Sequence, residues 1–112
     1  MKKYQVPELQ DIANSCWDYL KLHDAYWYEV TFSRKGLDVN REEEFGSAHY
    51  DKKLIWLNPV AHEDQAEHIV KTLLHECWHV FYKHGLQLKY YDETMAITME
   101  PILFDLWESE VF

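Results

Sequence analysis

Residues 68–84 read as a single amphipathic helix, and that helix constrains what the rest of the chain can do. On a helical wheel Val70, Leu73, Leu74, Cys77, Trp78, Val80 and Phe81 share one broad apolar arc. An arc of that width has to be buried against a sheet or other helices. His68, Thr72, His75 and His79 fall together on the adjacent flank, so a polar seam runs beside the core face. Gly85 follows, a residue suited to stopping the helix.

The seam contains the string H-E-C-W-H, His75 to His79, the only HExxH in the chain. Residues four apart on a helix lie on one face with Cβ atoms about 5–6 Å apart. Two imidazoles so placed can converge on one zinc ion at about 2.0–2.1 Å. Glu76 falls on the flank of that face, where a carboxylate can act as a general base toward an activated water. The plainer alternative is a polar stripe facing solvent.

A hydrolytic zinc site needs a third protein ligand and an open position. His84 stands on the opposite side of the wheel and suits a helix-end role near the C-terminal dipole better than ligation. The remaining source is the acidic stretch Asp92-Glu93-Thr94-Met95-Ala96-Ile97-Thr98-Met99-Glu100. Glu93 and Glu100 are seven apart and share a face, with Ala96 between them to permit close helix approach. Glu93 is the preferred ligand because the site should lie near the loop joining the two helices. Glu100 is the alternative; it precedes Pro101, which disfavours regular helix there.

With these residues in view, LLHECWHVFYKHG followed by DETMAITMEPIL resembles the HExxH … ExxA … LL pattern of small gluzincin-type metallopeptidases. The likeness is to the minimal ImmA/IrrE-like domains of phages and mobile elements, over about residues 54–103. It implies His75, His79 and Glu93 as zinc ligands, Glu76 as catalytic base, and a minimal zincin fold. Ile97, Cys77 and Trp78 depart from the usual residues of that pattern. Its implied activity is zinc-dependent endopeptidase cleavage of an intracellular protein or peptide substrate. An alternative is a catalytically inert zincin-fold binding module, such as a phage-encoded acidic inhibitor of a host protein.

Composition sets further bounds. The 112 residues suffice for one domain, residues 1–112, with 47% apolar and 16% aromatic content for a core. No run approaches the roughly 20 apolar residues of a membrane span. The N-terminal Met-Lys-Lys lacks a following apolar stretch, so a cytoplasmic protein is expected, in the host cytoplasm if phage-encoded. A net charge of −9 argues against direct nucleic-acid binding, which needs clustered Lys and Arg. Cys16 and Cys77 both read as buried free thiols.

The expected elements are a helix over 8–22, strands in 26–32, 43–50 and 54–57, a metal-binding helix over 63–84 and a last helix over 92–108. Asp51-Lys52-Lys53 reads as a tight turn between the second and third strands. The expected architecture is α+β: an N-terminal helix, a three-stranded antiparallel sheet, and two helices. Tyr82, Tyr90, Tyr91 and His68 are candidate extra donors to a reacting carbonyl.

Overall fold

A computed structural model of the chain describes residues 6–32, 45–58, 66–87 and 93–112. The architecture is α+β. Helix α1 spans Val6–Tyr19, a 3-10 turn Asp24–Tyr26, β1 Glu29–Phe32, β2 Gly46–His49, β3 Leu54–Leu57, α2 Ala66–His84 and α3 Glu93–Glu108. The first two residues of the expected 43–50 strand and the donors Tyr90 and Tyr91 lie outside the described residues, as do residues 63–65 and Asp92 at the expected helix starts.

The sheet order is β1-β3-β2, and the sheet is mixed rather than antiparallel. β2 and β3 form the expected hairpin, with Gly46 opposite Leu57 and His49 opposite Leu54. β1 lies on the other side of β3 and runs parallel to it, Glu29 beside Leu54 and Phe32 beside Leu57. The alternation that marks residues 29–32 as a strand is the same for either direction. Assuming that chain neighbours pair as hairpins therefore produced the wrong polarity for β1. Tyr26 also falls in the 3-10 turn, so the strand starts three residues later than its aromatic run suggests.

β3, the central strand, buries Ile55, Trp56 and Leu57, as befits a strand covered on both sides. The outer edge of β1 is closed by a side chain. Gln10 of α1 donates Nε2–H to the Tyr28 carbonyl at 2.9 Å and accepts the Val30 N–H at 2.8 Å. Its amide thus replaces a neighbouring strand, satisfying groups that would otherwise invite edge pairing.

Helix α1 presents Leu9, Ala13, Cys16 and Trp17, all fully buried and spaced by one helical stripe. The Trp17 indole donates to the Cys77 carbonyl at 3.1 Å, which ties α1 to the middle of α2 while satisfying a buried N–H. α1 stops where Lys21 turns left-handed (φ 62°) and Leu22 N–H reaches back to Trp17 O at 2.9 Å. α2 stops at Gly85, whose N–H bonds Phe81 O at 2.7 Å. A Cβ there would stand 2.7 Å from the Phe81 ring and 2.9 Å from its carbonyl, so glycine is required by space.

α3 runs through Pro101 to Glu108, as expected of a helix over 92–108, and Glu100 stays helical although the proline after it disfavours regular helix there. Proline removes one N–H and crowds one carbonyl. Leu103 and Phe104, buried just beyond it, hold the second half of the helix to the core. No helix among the described residues is long and apolar enough to cross a membrane.

Candidate metal centre

The wheel reading of α2 holds in three dimensions. Val70, Leu73, Leu74, Cys77 and Val80 are fully buried in the core, while Thr72, Glu76 and His79 are buried polar groups beside them. His75 retains 12% of its side-chain surface and His79 only 2%. α3 packs against this seam at Ala96, fully buried, where the absence of a larger side chain lets the helices close together. That approach delivers Glu93, the first residue of α3, to the histidines.

His75 and His79 turn their Nε2 atoms toward each other, 3.3 Å apart. The Glu93 carboxylate straddles the pair, Oε1 at 2.5 Å from His75 Nε2 and Oε2 at 3.3 Å from His79 Nε2. A tetrahedral ion with ligands at about 2.0–2.1 Å holds them about 3.3–3.4 Å apart. Two of the three separations match that edge. The third is shorter, so Glu93 needs to draw back by less than an ångström to share a cation. One ligand atom from each residue lies within 4.8 Å of the others, and the group can hold a metal ion.

Glu100 takes a different part from the one considered for it. Its Oε1 is 3.2 Å from Nδ1 of His75, on the far side of the ring from Glu93. A carboxylate there draws the imidazole proton to Nδ1 and leaves the Nε2 lone pair free for a cation. The seven-residue spacing on α3 thus yields one carboxylate for each ring nitrogen of His75.

Strand β2 lies along the same seam. At its start, a Cβ on Gly46 would meet Thr72 Cγ2 at 3.0 Å and Trp56 O at 2.8 Å, so only glycine lets the strand approach α2 this closely. At its end, Lys83 Nζ sits 4.6 Å from the centre of the Tyr50 ring. Thr72 is one turn before Glu76 and Lys83 one turn after His79, so β2 flanks the HExxH segment over its length. Ala48 and Tyr50 pack against the core from this strand and its following turn.

Other sequence candidates fall elsewhere. His84 accepts from or donates to the Tyr28 hydroxyl at 2.7 Å, and Tyr26 stacks on its ring at 5.0 Å. Burial first, then Lys83 and Lys53, lower its pKa from 6.5, so it is neutral at pH 7 and not the charged helix-end group expected. His68 sets its ring against Phe45 with centroids 4.3 Å apart, and Tyr82 packs on the core. Cys16 and Cys77 are free and buried, as expected. Burial, then the hydrogen bond with Cys16, pushes the Cys77 thiol well up, and its place in the apolar core sets it apart from the histidine seam.

Tyr50, in the turn that ends β2 and under Lys83 Nζ at 4.6 Å, was not among the sequence candidates. Burial, then the carboxylates of Glu76 and Glu93, push its pKa up to about 12. The only signal in the chain is its place two residues after Ala48 on the alternation of β2, which says nothing of Lys83. Comparison with protein-family models, with curated proteins and with solved structures finds no match for this chain.

Proposed function

We propose that the protein is a small zinc-dependent endopeptidase of gluzincin type on a minimal zincin fold. The observation that supports it best is the convergence of His75 Nε2, His79 Nε2 and the Glu93 carboxylate beside a buried carboxylate, Glu76. Two neutral imidazoles and one carboxylate suit zinc, and three protein ligands leave a position for chemistry. When bound, the cation supplies Lewis acidity, lowering the pKa of a water toward about 7 and polarising a carbonyl.

The residues of the chain supply the rest. Glu76 accepts a proton as water oxygen bonds to the substrate carbonyl carbon, then returns it to the amide nitrogen as the C–N bond breaks. Glu100 holds His75 in the Nδ1–H tautomer throughout. The substrate is an extended peptide, pairing with the outer edge of β2, which bonds no other strand among the described residues. The net charge of −9 favours basic sequences at that edge.

The decisive test is Glu76→Gln. The variant is expected to keep its zinc and lose hydrolysis of a mixed peptide library by at least the roughly 10²–10⁴-fold associated with a general base. Unchanged turnover removes Glu76 from the mechanism. A wild type that cleaves nothing yet blocks a partner protein one-to-one, as Glu76→Gln also would, points instead to an acidic binding module.

A further inference from the structure

The end of the α2–α3 pair away from Glu93 carries a second concave feature. A cleft of about 510 Å³ opens there, lined by Glu67, Phe104, Trp107, Glu108, Glu110 and Phe112. That volume falls within the roughly 300–1,000 Å³ of small-ligand sites. Lys71 Nζ stands over the Phe104 ring at 4.8 Å, so the start of α2 lies beside the end of α3. Glu67 precedes His75 by about 12 Å of helix, which sets the cleft apart from the histidines.

Aromatic rings make one wall and glutamates the rim. Phe104 is buried, and Trp107 meets it with centroids 5.8 Å apart and planes at 44°, forming a corner. Phe112 is brought back to the cleft by the way α3 ends. Glu110 turns left-handed (φ 58°), its N–H bonding Trp107 O at 3.0 Å while the Val111 N–H bonds Leu106 O at 2.9 Å. Such a closure ordinarily uses glycine at the left-handed position. Phe112 then packs on Tyr19 of α1 with centroids 5.4 Å apart. The chain thus places a glutamate where glycine would be less strained, and that glutamate lines the cleft.

The chain does not answer this charge itself. Among the described residues, no hydrogen bond or ion pair reaches the side chains of Glu67, Glu108 or Glu110, and no lysine or arginine lines the cleft. The rings at this end of α3 already hold one cation, Lys71 on Phe104, which shows the chemistry they attract. Flat rings beside carboxylates, on a chain of net charge −9, complement a guanidinium, which stacks through its face and donates through its edge. An ammonium offers a point charge without the flat face.

We propose that this cleft binds an arginine side chain displayed by a basic segment of a partner protein. The guanidinium lies against Trp107 and donates N–H hydrogen bonds to the rim carboxylates, chiefly those of Glu108 and Glu110. The site needs neither a metal nor Glu76, so it stands or falls separately from the peptidase reading.

The test is a nuclear magnetic resonance titration of the isotope-labelled chain with capped Gly-X-Gly tripeptides. X is arginine, lysine or citrulline, the last keeping the shape of arginine without its charge. The arginine peptide is expected to shift the Trp107 indole N–H and the amides of Glu108 and Phe112, with a Kd on the order of 1 mM. Raising the salt concentration should weaken it. Lysine is expected to bind about fivefold more weakly, and citrulline to give no localised shift. Glu108→Gln and Glu110→Gly should each weaken the arginine peptide about fivefold or more. Glu110→Gly also relaxes the left-handed turn, so its melting temperature is expected to hold or rise, separating a lost ligand contact from a lost fold. Arginine and citrulline bound equally, shifts centred elsewhere, no shifts at all, or unchanged affinity in both variants overturn the proposal. Lysine bound as tightly as arginine overturns the choice of a guanidinium.

Discussion

The two faces of α2 are made of the same helix and do opposite work. One face, Val70, Leu73, Leu74, Cys77 and Val80, is sealed in the core against α1 and the sheet. The other, Thr72, His75, Glu76 and His79, is nearly as buried but polar, and its partners come from α3 and β2. Burying imidazoles and a carboxylate opposes folding unless each polar atom is matched. The apolar face overcomes that cost, which lets the seam be held rigid and close to dry. The lesson is that the site's precision is derived from packing on the side of the helix that carries no chemistry.

Substitutions can separate the two faces. The largest effect on metal is expected from Glu93→Ala, which removes a proposed ligand that is 46% exposed and makes no part of the core. Zinc affinity measured by competition with a chelator should fall by more than the about 10–100-fold typical of losing a supporting residue, with the melting temperature of the metal-free protein nearly unchanged. Retained affinity breaks the proposed ligand set. The mirror experiment is Leu73→Ala. It should destabilise the fold by about 3 kcal/mol in urea unfolding, while zinc affinity well below the melting point stays near that of wild type. A collapse of zinc affinity without unfolding would show that the faces are not separable.

Two smaller effects sharpen the contrast. Glu100→Ala is expected to lower zinc affinity by about 10–100-fold, as loss of a histidine's carboxylate partner does elsewhere. A loss as deep as that of Glu93→Ala would make Glu100 a ligand. At the end of α2, His84 has a folded-state pKa below its unfolded value of 6.5. The unfolded chain therefore binds the proton more readily, and His84's contribution to stability is full above about pH 6.5 and lost as pH falls through the lower folded value. His84→Gln should flatten that part of the acid limb of stability against pH, and an unaltered slope would show that His84 is not buried neutral.

How much of this was legible in the chain follows from what kind of information each feature needs. The metal helix and its two histidines were legible because helical periodicity alone sets which residues share a face. Glu93 was legible because a short connection limits where an acid can come from, and Ala96 marked the close approach. Glu100's place at His75 Nδ1 was not, since spacing put it on the right face without saying which ring nitrogen it would meet. β1's direction was hidden because alternation is the same read either way. Gln10 closing the sheet edge and Tyr50 meeting Lys83 depend on elements that meet only after the fold has formed, and no local pattern encodes such meetings.

The central claim is that His75, His79 and Glu93 hold one divalent ion between them. The most direct measurement is metal per chain by elemental analysis, after loading with zinc and desalting, for wild type and for the double substitution His75→Ala, His79→Ala. The account requires about one zinc per wild-type chain and essentially none in the variant, with the variant still folded by circular dichroism. A folded variant that retains zinc, or a wild type that binds none, contradicts it.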